Sequence, residues 1–467
     1  MTSPEPSSRT AAQSRSAPRS APRSAPGGRP GSPLTRLPFF YGWVVVAVAF
    51  VTLGVAVSVR TSFSLLFPPI LDEFGWSRGT TAAAFSVGFF SSALLSPFIG
   101  TAMDRLGPRV VMPMGALIVA AGLVLGTLAT TPWHFYLTLG LLVVGFGIAI
   151  SFIGHGAILP NWFARRRGLA VGIAFSGVGV GAVLMFPWLQ TIIDGEGWRR
   201  ACWAMALLLL ALVVPLNLLL QRRRPADLGL RPDGDGDGEP EGRAGAAAED
   251  GVVDRAWAET DWTLARALAQ PRFWWLLLGL GSGLYAWYAV QVHQTRYLLD
   301  VGFPAEQAAV ALGLVGLLGI GGQIGLGHLS DRIGREWAWT LACLGFGLCY
   351  LLLLVLKAYP LDALLYLMVA CQGLLGYGTA PLYATISAEL FQGRNFGAVF
   401  GVISTGGTLG AAAGPWVSGL LFDTRGDYIL AFYLAAGLCV VSSLAVWRAA
   451  PRKVRLVSGQ AAQRRKG

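Results

Sequence analysis

Uncharged apolar runs long enough to cross a bilayer recur along the whole 467-residue chain. Residues 110–130, 204–220 and 337–356 carry no Asp, Glu, Lys or Arg. About 20 such residues in a helix span the hydrocarbon core of a membrane. The strands of a membrane barrel would alternate polar and apolar side chains, and these runs do not. Only 13% of the residues are charged, against about 25% in soluble domains, so lipid replaces water as the solvent for most of the surface. The first 40 residues lack an apolar core and a cleavage site, which argues against a secretory signal. Their Ser, Pro, Ala and Arg, with the repeat SAPRSAPRSAP, read as a disordered cytosolic tail.

The apolar pattern predicts spans at roughly 41–68, 80–103, 109–130, 133–160, 167–190, 199–220, 272–298, 306–329, 337–356, 360–387, 397–421 and 428–447. An even count puts both termini on one side. With that side inside, 29 of the 36 Lys and Arg lie in cytosolic segments, as the positive-inside rule requires. The expected location is therefore the cell membrane, the inner one in a Gram-negative cell, with both termini cytosolic. The net charge of +11 is thus accounted for by membrane topology, and no nucleic acid is expected. Residues 221–271 form the one long connection. Their acidic, Gly-rich middle reads as a flexible linker. Their end, DWTLARALAQP, predicts a short amphipathic helix on the membrane surface, capped by Asp261 and stopped at Pro271. Residues 448–467 form a basic C-terminal tail. The five cysteines all fall in apolar runs without metal spacing, so neither a disulfide framework nor a metal is expected. No cofactor motif is present either.

The two halves, 41–220 and 272–447, repeat one another. GTAMDRLGPR at Gly100 to Arg109 recurs as GHLSDRIGR at Gly327 to Arg335. Phe163 and Arg166 recur as Phe391 and Arg394, and Pro187-Trp188 as Pro415-Trp416. A common offset at matching places in the helix order indicates a duplicated six-helix unit. The expected fold is an all-α membrane protein of twelve transmembrane helices in two pseudo-symmetric six-helix halves.

The repeated loop, G-x-x-x-D-R-x-G-x-R between the second and third helices, resembles the signature of the major facilitator superfamily. In the second copy the last basic residue comes one position earlier. The resemblance implies a conformational latch between the halves, built from Gly100, Asp104, Arg105, Gly107 and Arg109 and from Gly327, Asp331, Arg332, Gly334 and Arg335. The alternative is a turn that serves topology alone. FYGWVVVAVAF, FGWSRG, NWFARRRGLAVGIAFSGVGVG, RPADLGLRPDGDG and AELFQGRNFGAVFG look like the monocarboxylate porter branch, especially its bacterial members.

In that fold, by resemblance, helices one, four, seven and ten line a central cavity. They carry Arg60, His155, Tyr288, Gln291, His293, Gln372 and Tyr383, with Gln323 on helix eight as a further candidate. At about 100° per residue, Tyr285, Tyr288 and Gln291 form one stripe and Gln372, Thr379 and Tyr383 another. Arg60 is the leading candidate. An Arg within a span costs about 2.5–3.5 kcal/mol on insertion scales, no carboxylate sits mid-span, and a guanidinium fork suits a carboxylate. It aligns by resemblance with the substrate-engaging basic residue of monocarboxylate porters. Snorkelling to the interface is the competing account. The Asp and Arg that animal members carry in helix eight are Gly319 and Gln323 here, so a coupling proton would need His155, His293 or the substrate itself. The expected partner is a small, anionic substrate, a carboxylate, moved by a secondary transporter. The alternative is an exporter of drug-like or amphipathic metabolites. That class carries a Gly-Pro run in helix five, absent here. No enzyme motif is present.

Overall fold

Twelve helices are long and apolar enough to cross a membrane among the residues described by the computed structural model, 38–76, 78–234 and 251–464. They are α1 (Gly42–Phe74), α2 (Ala83–Leu106), α3 (Pro108–Gly126), α4 (Pro132–Asn161), α5 (Arg167–Glu196), α6 (Trp198–Leu220), α7 (Pro271–Val301), α8 (Val310–Ile333), α9 (Arg335–Ala358), α10 (Asp362–Phe391), α11 (Phe396–Arg425) and α12 (Ile429–Lys453). The expected twelve-helix, two-half architecture is the one observed. The N-terminal tail to residue 37, linker residues 235–250 and residues 465–467 lie outside the described residues.

Several spans outrun their predicted ends. The predicted first span stops at Pro68, whereas α1 turns at Ser62 and continues through Pro68 and Pro69 to Phe74, where Gly75 ends it in a left-handed conformation. Pro271 does not stop a helix. It stands at the first position of α7, where the absent N–H is no loss. Asp261 is likewise not a cap. Asp254 accepts from Trp257 N–H and Thr263 from Arg266 N–H, opening two five-residue helices, Arg255–Glu259 and Leu264–Leu268. The apolar side of this stretch faces protein: Trp262 is buried and meets Phe391 edge-on at 5.2 Å.

Pitch changes inside several spans, which hydrophobic pattern alone does not reveal: α1 turns at Ser62, α6 holds a π segment (Leu209–Val213), and α4 and α10 each pass through both π and 3-10 segments. In α4 a π segment (Tyr136–Gly145) leads to a 3-10 segment (Phe146–Ile150), then to a break at Ser151, whose φ of −113° and ψ of −143° are non-helical. In α10 a π segment (Cys371–Leu375) leads to a 3-10 segment (Gly376–Gly378). The switch falls at Phe146 in one half and Gly376 in the other, an offset close to that of the sequence repeat. Interrupted helices at matching depths of two repeats are where membrane transporters build their sites.

Within each half α1 packs on α5 and α7 on α11, while α2–α11 and α5–α8 join the halves. The joining helices cross where glycines face one another. Gly100 lies against the Gly397 carbonyl and Gly327 against that of Gly168. Lipid tails are as apolar as leucine, so backbone proximity and polar contacts hold such helices together. Asn217 is one of those contacts, donating from α6 to Thr52 Oγ1 of α1 (2.8 Å). All five cysteines are free.

Candidate functional site

A cavity of about 100 Å³, measured to the centres of water-sized molecules, lies between the halves at mid-bundle. Its walls come from α1, α2, α4, α5, α7, α10 and α11. Arg60 is its cation. Its Nη2 donates to Ser92 Oγ (3.2 Å), and the Ser92 hydroxyl donates onward to the Val144 carbonyl (3.0 Å). The guanidinium carbon stands 4.8 Å from the centroid of the Phe89 ring. Arg60 Nε is buried with no hydrogen-bond partner, and no described carboxylate pairs with this side chain. The Tyr288 hydroxyl lies within electrostatic range of it. The broken part of α4 contributes Ser151 to the wall, and its hydroxyl is also buried and unpartnered. The α4 break therefore places Ser151 in the wall of the same cavity as Arg60.

Of the residues singled out from the sequence, the cavity gathers Arg60, Tyr288 and Tyr383. His155 sits just behind the wall, fully buried one turn beyond Ser151. Its Nδ1 is 3.0 Å from the Ser151 carbonyl. A carbonyl can only accept, so Nδ1 carries the hydrogen, and Nε2 is a buried acceptor with no partner. His293 is elsewhere. Its Nε2 donates to the Pro415 carbonyl (2.9 Å), which leaves Nδ1 to accept from the Tyr428 hydroxyl (3.1 Å). Both ring nitrogens are thus used in tying α7 to α11 and to the start of α12.

Gln291 is exposed, does not line the cavity and accepts from Trp287 Nε1 (2.6 Å). Gln372 is buried against Cys349 of α9. The stripe expected through Gln372, Thr379 and Tyr383 assumes a constant 100° per residue, and the π and 3-10 segments of α10 break that phase. Gln323 is buried where α8 crosses α5 beside Gly172. Gly319 leaves room for the Tyr377 ring, which lies tilted (37°) against Trp287 at 4.6 Å. Sequence reading by helices one, four, seven and ten missed Phe89, Phe175, Phe400, Ser404 and Thr408, all cavity residues of α2, α5 and α11. The closely packed glycines of those helices were the available signal.

The repeated loops meet the opposite half. Asp104 of α2 accepts from Gly397 N–H (3.0 Å) and Ala398 N–H (2.7 Å) at the start of α11. Asp331 of α8 accepts from Gly168 N–H (2.9 Å) and Leu169 N–H (3.0 Å) at the start of α5. Neither α5 nor α11 has a side-chain cap of its own. Each carboxylate therefore does in trans what an N-cap residue does in cis, and it also meets the positive end of the helix dipole. The loop glycines Gly107 (φ 78°) and Gly334 (φ 106°) adopt left-handed backbone that side chains disfavour. The one-residue shift of the second motif has a consequence. Arg335 is buried and pairs with Asp331 (2.8 Å), whereas Arg109 is exposed and donates to the Leu218 carbonyl. Arg223, from the start of the linker, pairs with Asp104 instead (3.1 Å) and also reaches the Arg394 carbonyl. Arg105 and Arg332 are exposed.

Substituting Asp104→Asn or Asp331→Asn replaces an acceptor-only group by one that presents N–H to N–H. A hydrogen bond to a charged group contributes about 1.5–3 kcal/mol, so each change is expected to raise amide exchange at the start of α11 or α5 at least tenfold. Hydrogen-exchange mass spectrometry reads this directly. Unchanged protection at those helix starts would refute the capping role.

Residues 44–380 and 360–467 match the family model of the Major Facilitator Superfamily. The chain is 28% identical over 426 residues to Monocarboxylate transporter 12 of Rattus norvegicus, covering 86% of this chain and 84% of that protein. It is 29% identical over 420 residues to Monocarboxylate transporter 11 of Homo sapiens, covering 86% and 82%. Among solved structures, the proton:xylose symporter XylE bound to 6-bromo-6-deoxy-D-glucose superposes with a TM-score of 0.67 at 14% identity, over 90% of this chain and 99% of that one. The human organic anion transporter MFSD10 superposes at 0.65 with 18% identity, over 87% and 99%. These two likenesses establish the fold, and the family match covers nearly all of the chain. The twelve spans, the repeated loops capping helices of the opposite half and the central cavity thus belong to a membrane transporter of the major facilitator superfamily, related to the monocarboxylate transporters.

Proposed function

We propose that this transporter moves a small organic anion, a carboxylate, across the membrane by alternating access. One observation carries the reading: Arg60 lines the central cavity and no described carboxylate neutralises it. A cation held in a low-dielectric space favours an anion as its partner, and its fork matches two carboxylate oxygens. Tyr288, Ser151 and Tyr383 share the cavity with it. The second reading, export of drug-like or amphipathic metabolites, draws support from the apolar character of the remaining wall. His155 Nε2, as a buried free acceptor beside the cavity, is the receptor for any coupling proton.

Arg60→Gln separates the two readings. It is expected to remove carboxylate-induced thermal stabilisation of the purified protein, a loss of at least tenfold in affinity. Arg60→Lys keeps the charge without the fork and should bind with intermediate strength. If Arg60→Gln takes up anions like the parent, the exporter reading moves ahead. In the same uptake assay His155→Gln should lose its response to a pH gradient.

The latch end of the bundle is the cytosolic side in this reading, on the strength of the 29 basic residues of 36 that one orientation places inside. The halves 41–220 and 272–447 then rock about the cavity, joined by the linker 221–271, with both tails in the cytosol. A lone cysteine at Asp235, in a background without the native cysteines, should resist impermeant thiol reagents in intact cells. Ready labelling would invert the orientation.

A further inference from the structure

The wall around Arg60 carries information about the rest of the substrate. Seven of the sixteen cavity residues are aromatic, against 11% of the chain. They come from both halves: Phe89, Phe152 and Phe175 on one side, Trp287, Tyr288, Tyr383 and Phe400 on the other. Most of their polar atoms are turned away. Trp287 donates its indole N–H to Gln291, and Tyr383 donates its hydroxyl to the Ile403 carbonyl (3.0 Å). Thr408, another wall residue, donates to the Ser404 carbonyl of its own helix (2.9 Å). These polar groups are thereby satisfied within the protein, and the Tyr288 hydroxyl lies within electrostatic range of Arg60.

The rings are also ordered. Phe89 lies under the Arg60 guanidinium and meets Tyr288 edge-on (6.1 Å, 80°). Trp287 and Tyr288 lie nearly parallel (6.4 Å, 28°). A planar apolar group placed next to the guanidinium would therefore find offset-stacked and edge-to-face partners from α2 and α7 together. A two-carbon acid would bind Arg60 and leave this surface without contacts.

The charge inventory is as restrictive. Arg60 is the only cation among the lining residues, so a second carboxylate on the substrate would be buried unpaired. No Asp or Glu lines the cavity, and Asp104, Asp331 and Glu389 are engaged at the latch end. A substrate ammonium would likewise go unpaired.

We infer that the substrate is an aryl-bearing monocarboxylate, neither an amino acid nor a dicarboxylate, with its carboxylate on Arg60 and its ring between Phe89, Trp287 and Tyr288. This inference rests on the carboxylate reading above and narrows it. It also makes the two halves jointly responsible for the ring, so that recognising it draws them together around the cavity.

The test measures the thermal shift of the purified full-length protein against acetate, phenylacetate, phenylalanine and phenylsuccinate, with phenethylamine as the cationic counterpart. Burial of a phenyl ring corresponds to about 10- to 100-fold in affinity, so phenylacetate should bind that much more tightly than acetate. Phenylalanine and phenylsuccinate should be weaker than phenylacetate by at least tenfold. Trp287→Leu in one half and Phe89→Leu in the other should each narrow the gap between phenylacetate and acetate, and either serves if the other does not fold. Acetate binding as tightly as phenylacetate would overturn the aryl inference and leave the carboxylate reading standing. Phenylalanine or phenylsuccinate matching phenylacetate would overturn it through the charge argument. Stabilisation by phenethylamine and by no carboxylate would overturn both readings together.

Discussion

Glu389→Gln is expected to loosen the latch end of the protein more than any other single change of charge. Glu389 is 5% exposed and accepts from two arginines that are as deeply buried. Arg167 of α5, in the first half, is 3.0 Å away, and Arg335 of α9, in the second, is 3.2 Å away. Removing one member of a buried ion pair leaves the other charge uncompensated, at a cost of about 3–5 kcal/mol. Arg335 keeps Asp331, but Arg167 keeps only Gln392 and two carbonyls. The cheapest relief is to let water in by separating α5 from α10. Opening at this end should become at least about 100-fold more populated, read as faster amide exchange at Gly168 and Leu169 and as a lower melting temperature. Adding Arg167→Gln removes the stranded cation and should recover part of the loss, the coupling a double-mutant cycle measures. A variant with parental exchange and stability would mean that the cluster is already hydrated and contributes nothing.

The second large effect is steric. Gly100 and Gly397 face one another where α2 crosses α11, and a Cβ on either would overlap the carbonyl oxygen of the other. Backbone cannot swing aside as a side chain can, so Gly100→Val must push the helices apart. Overpacking typically costs about 1–3 kcal/mol, and here the displacement also draws Asp104 from the amides of Gly397 and Ala398. The expected outcome is loss of protection at the start of α11 by more than tenfold and transport that stalls with the latch end open. Gly327→Val at the pseudo-symmetric crossing with Gly168 should do the same at the start of α5. Gly325 has nothing within 4 Å of where a Cβ would stand, so Gly325→Ala is the control that should leave both starts protected. If Gly100→Val behaves like that control, the crossing is not what holds the end closed.

The sequence by itself determined the solvent, the number of spans, the duplication and the presence of one Arg, Arg60, deep in a span. Each is a matter of what a residue costs in lipid. A bilayer thickness demands about 20 apolar residues, and a lone Arg at that depth demands a partner or water. The repeated loops were legible because a carboxylate followed by glycine at a helix junction has few uses. Their targets were not. That Asp104 caps α11 and Asp331 caps α5 depends on helix starts 293 and 163 residues away, and nothing local records which helix start lacks its own cap. The cavity wall from α2, α5 and α11 was hidden for the same reason. The polar stripe on α10 failed because the chain changes helical pitch inside the span, and an apolar run reads alike whether its hydrogen bonds close on the third, fourth or fifth residue. Tertiary packing chose among those pitches. It set His293 against Pro415 and Tyr428, away from the cavity, and placed Ser151 at a break where its hydroxyl stays free. Hydrophobicity fixes how deep a residue lies in the membrane, and only the packed neighbours fix which way it points.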